Sequence, residues 1–284
     1  RINQQSAEGV TICYVDIDPS GKAVVAANYT SGSVLSYPVG DDGSLEPRVS
    51  FYGHQGASLV DVGRQEKAHA HCAIISPNGR QMFACDLGTD QVMGYALDAE
   101  TAGLTPLAQP YVRTIGGGGP RHFTFHPQGV YAYANNELAN SVNVYGYDGD
   151  TGRLTELQVI PSLPEGFDGE SYTADLKVTP DGRFLYCTNR GHDSIAVYAI
   201  GADGCLSLVD IQASGGNFPQ NLAITPDGGL LLCANMQAAG DDKAGENVAV
   251  FRIDAESGRL EAAAAPTPLA GPSCIMIVWI YSLK

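Results

Sequence analysis

The sequence predicts an all-β fold built from repeated four-stranded antiparallel sheets. Three observations lead to this prediction: a turn motif that recurs at nearly constant spacing, apolar strand-like runs on both sides of each copy, and no helical periodicity. The chain has 284 residues, of which 44% are hydrophobic and 17% charged. That composition is typical of a globular protein with a large core.

The recurring motif is the tetrapeptide x-Pro-x-Gly, which combines two residues that favour tight turns. Its copies start 46 to 58 residues apart, at Asp18, Ser76, His126, Thr179 and Thr225. An Asn or Asp follows each motif proline at a distance of nine residues, at Asn28, Asp86, Asn136, Asn189 and Asn235. Agreement in all five copies indicates a structural repeat of about 50 residues.

Each copy of the motif separates two apolar runs that are typical of β-strands. In the third copy FTFHPQG precedes the turn, VYAYANN follows it, and SVNVYGYD supplies a third strand before a second turn and a weaker fourth strand. One such sheet cannot bury both faces alone, and radial stacking in a β-propeller solves that problem. We therefore predict a single β-propeller domain over residues 1–284, truncated to five to six blades, with at least one N-terminal blade missing.

The charge balance argues against nucleic acids and membranes as partners. The 16 Lys and Arg residues stand against 31 Asp and Glu, a net charge of -15, which repels phosphate backbones and anionic membrane surfaces. No apolar run is long enough to span a bilayer. A small anion can still bind where a few arginines come together, because local geometry decides such a contact.

The seven cysteines are an odd number without a C-x-x-C pair, so we expect reduced and mostly buried thiols. Reduced thiols are typical of the cytoplasm, and the sequence shows no signal peptide, although it opens at Arg1 without Met. We therefore expect a cytoplasmic protein. The oligomeric state cannot be read from the sequence.

Charged residues of the middle repeats occupy two fixed positions. His71 and Arg121 stand six residues before a motif proline, and Glu137 and Arg190 stand ten residues after one. In an antiparallel blade the first strand begins where the second strand ends, so we expect all four side chains at one mouth of the propeller channel. Any one of them alone could equally be a solvated charge at a strand end.

Other suggestive residues carry weaker signals. His69 forms an H-x-H pair with His71, but no Cys or carboxylate cluster stands beside it, and we expect no metal. His122 and His126 are expected to face away from the site or into strand packing. Residues 116–119 are all Gly, but no Gly-Lys-Ser/Thr follows them, so an inter-blade connection is expected instead of a phosphate loop.

At these residues the chain resembles the lactonase family of seven-bladed β-propellers, whose best-known activity is that of 6-phosphogluconolactonase. The resemblance rests on the stretches HAHCAIISPNGR, GPRHFTFHPQGVYAYANNEL and VTPDGRFLYCTNRGHDSIAVY, and it extends over most of the chain. It implies metal-independent hydrolysis of a small anionic sugar lactone, most directly 6-phosphogluconolactone in the pentose phosphate pathway, without a cofactor.

The family resemblance also implies roles for individual residues. The proposed catalytic residues of the family fall on His71, Arg121, Glu137 and Arg190. Substrate binding is expected from Arg121, Arg190, Asn136, Asn189 and His192. The general base is either Glu137 or His71, and two neighbouring arginines would lower the pKa of Glu137 and make it the weaker base.

Two other functions are compatible with the same residues. A carboxy-muconate cycloisomerase would bind substrate carboxylates in place of a phosphate and move a proton to carbon. A propeller without catalytic activity would bind a protein or peptide on its flat face, because a fold does not determine a function. The sequence alone does not separate these alternatives or identify the exact substrate.

Overall fold

The structure is a computed structural model and describes residues 2–237 and 245–278. Those residues form 21 β-strands and contain no α-helix, which confirms the predicted all-β class. Among them no helix is long and apolar enough to cross a membrane. The chain divides into a first unit, Arg1–Ile160, and a second unit, Pro161–Lys284.

The first unit contains three four-stranded antiparallel sheets in which consecutive strands are neighbours. Sheet 1 consists of β1 (Ile12–Ile17), β2 (Ala23–Asn28), β3 (Ser33–Pro38) and β4 (Ser50–Gly53). Sheet 2 consists of β5 (Ile74–Ile75), β6 (Gln81–Asp86), β7 (Gln91–Asp98) and β8 (Gly103–Arg113). Sheet 3 consists of β9 (Pro120–Phe125), β10 (Tyr131–Asn136), β11 (Ser141–Asp148) and β12 (Arg153–Pro161).

The second unit repeats this arrangement in two sheets. Sheet 4 consists of β13 (Tyr172–Val178), β14 (Phe184–Arg190), β15 (Ser194–Ile200) and β16 (Leu206–Ala213). Sheet 5 consists of β17 (Asn217–Ile224), β18 (Leu230–Gln237), β19 (Asn247–Ile253) and β20 (Leu260–Ala262), and β21 (Thr267–Pro268) also pairs with β19. The described residues thus contain five four-stranded repeats, one for each copy of the motif.

The x-Pro-x-Gly motif forms the turn between the first and second strands of each sheet. In every copy the glycine amide donates to the carbonyl of the first motif residue at 2.8 to 2.9 Å, which is the hydrogen bond of a β-turn. The five glycines have φ between 66° and 76°, a left-handed conformation that favours glycine. The repeated turn predicted from the sequence is therefore confirmed.

We expect Gly129→Ala to lower the free energy of unfolding by about 1–2 kcal/mol, the cost of holding an L-residue in the left-handed region. A Cβ at Gly129 meets no atom within 4 Å, so packing does not contribute. Gly116→Ala is the matched control, because its Cβ also meets nothing within 4 Å and its φ is not positive. Its stability should change by less than about 0.5 kcal/mol. Equal losses in denaturant unfolding of the two variants would contradict this account of the turn.

Sheets 2 and 3 pack together through aromatic rings. Phe83 of β6 stacks on Phe123 of β9 with ring centroids 5.4 Å apart, and it meets Tyr147 of β11 edge to face at 5.8 Å. The hydroxyl of Tyr147 donates to Oε1 of Gln81 at 2.6 Å, which gives this buried polar atom a partner. Offset and edge-on ring pairs add about 0.5–1.5 kcal/mol each beyond the area they bury. This packing holds β6 of sheet 2 against β9 and β11 of sheet 3.

A second repeat position lies in the turn between the second and third strands. Thirteen residues after the motif proline, the chain has Gly32, Asp90, Asn140 and Asp193 in four copies, and all four have positive φ, between 47° and 58°. Gly, Asn and Asp tolerate this conformation best. In the second unit, Oδ1 of Asp193 also accepts the amide of Phe218 at 2.8 Å and so connects sheet 4 to the first strand of sheet 5.

Candidate active site

The two charged repeat positions of sheet 3 lie side by side. Arg121 is the second residue of β9, and Glu137 directly follows β10. The amide of Glu137 donates to the carbonyl of Gly119 at 2.8 Å, next to the pairing of Asn136 with Pro120. Antiparallel pairing therefore places both side chains at the same end of the sheet.

Arg121 and Glu137 form a buried ion pair. Nε of Arg121 lies 2.8 Å from Oε2 of Glu137, and each side chain is only 4% exposed. The other carboxylate oxygen, Oε1, accepts from Nη2 of Arg64 at 2.6 Å. A buried carboxylate requires such partners, because an unpaired charge in a protein interior costs several kcal/mol. Two guanidinium groups thus share one carboxylate.

Arg121 also contacts the imidazole of His122, with Nη1 3.2 Å from Nε2. Since a guanidinium can only donate, Nε2 accepts, and we assign His122 as neutral with its proton on Nδ1. The prediction that His122 faces away from the site is therefore wrong. The pairing of β9 with β10 shifts register between Ala134 and Asn136, and such a shift breaks the strict alternation of side chains.

His71 completes this group of side chains in the first unit. Its ring centroid lies 5.4 Å from that of His122 and 5.3 Å from that of Tyr29, edge to face in both contacts. The amide of His71 donates to the carbonyl of Cys85 at 2.8 Å, which holds the backbone against β6. His71, His122, Arg121, Glu137 and Arg64 form what we call the site cluster.

Tyr29 and His69 border the site cluster. Tyr29 occupies the repeat position of Glu137 in sheet 1, and its hydroxyl accepts from Nη2 of Arg64 at 3.4 Å. His69 stacks on Tyr29 at 4.6 Å, and its Nε2 lies 3.1 Å from the carboxylate of Glu66. Within residues 2–237 and 245–278, no group of three or more His, Cys, Asp or Glu is arranged to hold a metal ion.

The glycine-rich segment 116–119 binds a carboxylate of the protein itself. It connects sheets 2 and 3, as predicted, and the amides of Gly117 and Gly119 donate to the buried carboxylate of Asp90 at 2.7 and 2.8 Å. The same carboxylate accepts from the side-chain amide, Nε2, of Gln65 at 2.6 Å and from the hydroxyl of Ser58. Asp90 therefore connects the segment that carries Arg64 to the segment that precedes Arg121.

Cys13 occupies the repeat position of His71 in sheet 1, but it is not a reactive thiol. Burial raises its pKa to about 12, against an opposing effect of the positive charge of Arg121. Its Sγ donates to the carbonyl oxygen of His71 at 3.3 Å. All seven cysteines are free, and four of them are buried, as predicted.

We expect iodoacetamide at pH 8 to leave Cys13 of the folded protein unlabelled, because only a thiolate reacts and this thiol stays protonated. Cys274 is exposed and should be alkylated first. Peptide mass spectrometry of native and urea-unfolded samples measures both sites, and the unfolded sample should label all seven cysteines. Native labelling of Cys13 at the rate of Cys274 would contradict the assignment.

Arg190 lies in the second unit, at the end of β14. Its Nη1 donates to Oε1 of Gln220 at 3.2 Å, and Nε and Nη2 each donate at 3.3 Å to the carbonyls of Tyr172 and Thr173. The guanidinium carbon lies 5.0 Å from the ring centroid of Phe218, a cation–π contact. A shared role of Arg190 with the site cluster stays a prediction.

The other predicted substrate-binding residues have partners within their own sheets. Asn136 is fully buried and donates to Oγ of Ser141 at 2.9 Å. Asn189 is also fully buried and donates to Oγ of Ser194 at 3.1 Å. The same contact joins Asn28 to Ser33 in sheet 1, and in sheet 5 Asn235 donates to Oδ1 of Asn247 at the start of the third strand. His192 is partly exposed, with Nδ1 2.7 Å from Oγ of Ser194. Their contact with a substrate stays a prediction.

Sequence and structure comparisons identify similar proteins. The sequence model of the family described as "Lactonase, 7-bladed beta-propeller" matches residues 1–277. A 6-phosphogluconolactonase of Bacillus subtilis is 36% identical over 275 residues, which is 96% of this chain and 75% of the relative. One from Formosa agariphila is 31% identical, covering 92% and 72%. The solved structure of a periplasmic gluconolactonase from Pseudomonas aeruginosa has a TM-score of 0.82 at 34% identity, covering 92% of this chain and 71% of the other.

Proposed function

The chain belongs to the lactonase family of seven-bladed β-propellers, and from this premise we propose that it hydrolyses a sugar lactone, most directly 6-phosphogluconolactone to 6-phosphogluconate. Two relatives that match more than nine tenths of the chain are named 6-phosphogluconolactonase. We assign the five sheets to blades of one propeller domain. The activity belongs to the pentose phosphate pathway, and the free thiols favour the cytoplasm as its compartment.

The observation that carries the proposal is the site cluster itself. A lactone is a cyclic ester, so its hydrolysis requires a base that activates water and a positive group that stabilises the oxyanion formed on the carbonyl oxygen. The site cluster supplies imidazoles for the first task and guanidinium groups for the second. Guanidinium groups also bind carboxylates and phosphates through paired hydrogen bonds.

We assign the general base to His71. Oε1 of Glu137 accepts from Arg64, Oε2 lies 2.8 Å from Nε of Arg121 in an ion pair, and Nε2 of His122 accepts from Arg121, so these groups hold the arginines in place. His71 takes a proton from water as the water oxygen bonds to the carbonyl carbon. The ring C–O bond then breaks, and the proton passes to the departing alkoxide oxygen. For Arg190 and His192, which lie in the second unit, a substrate-binding role stays the prediction from sequence.

The test is an assay of acid release with the purified protein and a panel of lactones. We expect hydrolysis of 6-phosphogluconolactone well above the spontaneous rate, with activity retained in EDTA because no metal takes part. Failure to accelerate the hydrolysis of any lactone would contradict the proposal. Conversion of a carboxy-muconate to its lactone by the same sample would identify the cycloisomerase instead.

A further inference from the structure

We propose that Arg64 is the residue by which this protein prefers phosphorylated over unphosphorylated sugar lactones. The inference rests on the proposed lactonase function and deepens it by naming a determinant of substrate class. The similar proteins include 6-phosphogluconolactonases and a gluconolactonase, so proteins of this fold are named for phosphorylated and for unphosphorylated substrates. Four features of Arg64 lead to the assignment.

The first feature is the charge of the site cluster. Glu137 already has a buried counterion in Arg121, at 2.8 Å. Arg64 brings a second positive charge to the same carboxylate, at 2.6 Å, so the three groups together carry one excess positive charge. In a chain with a net charge of -15, a local excess of this sign is a specific feature that attracts an anionic substrate.

The second feature is exposure. The side chain of Arg64 is 36% exposed, whereas that of Arg121 is 4% exposed. Burial lowers the pKa of Arg64, but the charge of Glu137 outweighs that effect and the pKa is raised, so the guanidinium stays charged. Arg121 is therefore shielded from solvent beside Glu137, while Arg64 is the more accessible arginine for an incoming phosphate.

The third feature is the way the backbone around Arg64 is held. The amide of Arg64 donates to Oδ1 of Asp61 at 3.1 Å. The next residue, Gln65, is fully buried. Its side-chain amide donates to the carbonyl of Leu87 at 2.8 Å and to the carboxylate of Asp90 at 2.6 Å. A guanidinium on a fixed backbone needs little ordering when it binds, which improves both affinity and selectivity.

The fourth feature is the chemistry of the guanidinium group. Its planar set of N–H donors matches two oxygens of a phosphate, and charge-assisted hydrogen bonds of this kind are about twice as strong as neutral ones. Glucono-lactones without the phosphate offer only hydroxyl groups at that position. Loss of one such contact lowers the affinity by about 10- to 100-fold.

The experiment compares Arg64→Gln with the unchanged protein on 6-phosphogluconolactone and on glucono-δ-lactone. We expect the ratio of the two kcat/KM values, phosphorylated over unphosphorylated, to fall by about 10- to 100-fold. Arg64→Lys keeps the charge but loses the paired donors, and its ratio should lie between the two. Arg80→Gln is the matched control, because Arg80 is an exposed arginine that pairs with Asp150 at 3.0 Å, and its ratio should not change.

An unchanged ratio in Arg64→Gln, with or without a uniform loss on both lactones, would overturn the proposal and leave Arg64 as a support for Glu137. If the unchanged protein hydrolyses neither lactone, the proposed function fails, and binding of inorganic phosphate measured by calorimetry still decides the role of Arg64. In that case, phosphate affinity at least 10-fold weaker in Arg64→Gln would support phosphate recognition, and equal affinity would exclude it.

Discussion

His71→Asn is expected to lower kcat for 6-phosphogluconolactone by about 10²- to 10⁴-fold, because it removes the proposed general base. Asn is polar and of similar size, so KM should change little. His126→Asn is the matched control. His126 is also buried, but it lies in the motif turn of sheet 3, where its Nδ1 accepts the amide of Gln128 at 3.2 Å, a bond that an Asn oxygen can replace. This variant should keep full activity.

The pH dependence of the rate, compared between the unchanged protein and His71→Asn, adds a second measurement. If His71 is the base, the rate of the unchanged protein should fall in acid as an imidazole becomes protonated, and the residual rate of His71→Asn should lack that fall. Full activity of His71→Asn would remove His71 from the mechanism. The base would then be Glu137, after Arg64 has moved away from Oε1.

Glu137→Gln is expected to destabilise the protein by about 3–5 kcal/mol and to lower kcat/KM by at least 10²-fold. The stability is lost because Arg121 is 4% exposed and keeps its charge without the buried counterion. The double variant Arg121→Gln with Glu137→Gln removes both charges. Removing both members of the pair no longer leaves a buried charge without its counterion, so most of the stability should return.

Activity should not return with that stability. The double variant lacks the guanidinium that positions His122 and that the proposed mechanism uses to stabilise the oxyanion, so its kcat/KM should stay at least 10²-fold below that of the unchanged protein, about the cost of losing one oxyanion donor. Denaturant unfolding and lactone kinetics on the two variants and the unchanged protein measure both quantities. A double variant that recovers activity together with stability would mean that the ion pair is structural only.

The fold was accessible from the sequence because every repeat carries its own local signals. The Pro and Gly of each turn, the apolar runs beside it and the Asn nine residues later are determined by backbone geometry and by contacts within one sheet. The closeness of Arg121 and Glu137 was predictable for the same reason, since antiparallel pairing of two adjacent strands brings them together.

The residues that were missed depend on contacts between distant segments. Arg64 lies in the connection between β4 and β5, where no repeat position applies. No local sequence pattern predicts that its guanidinium contacts Glu137. His122 required knowledge of a register shift that the sequence does not display. Asp90 could have been found, because Gly32, Asn140 and Asp193 occupy the same repeat position and all suit a left-handed backbone.

The turn position with positive φ that Asp90 and Asp193 occupy has an evolutionary consequence. Asp90 and Asp193 each accept backbone amides from the strand that opens the following sheet, or from the residues just before it. In these two repeats, a residue of one sheet therefore makes the contact that holds the start of the next sheet. A tandem duplication of either repeat would copy this contact residue together with the sheet. A gene of this kind could therefore gain or lose whole repeats while keeping the contact between neighbouring sheets.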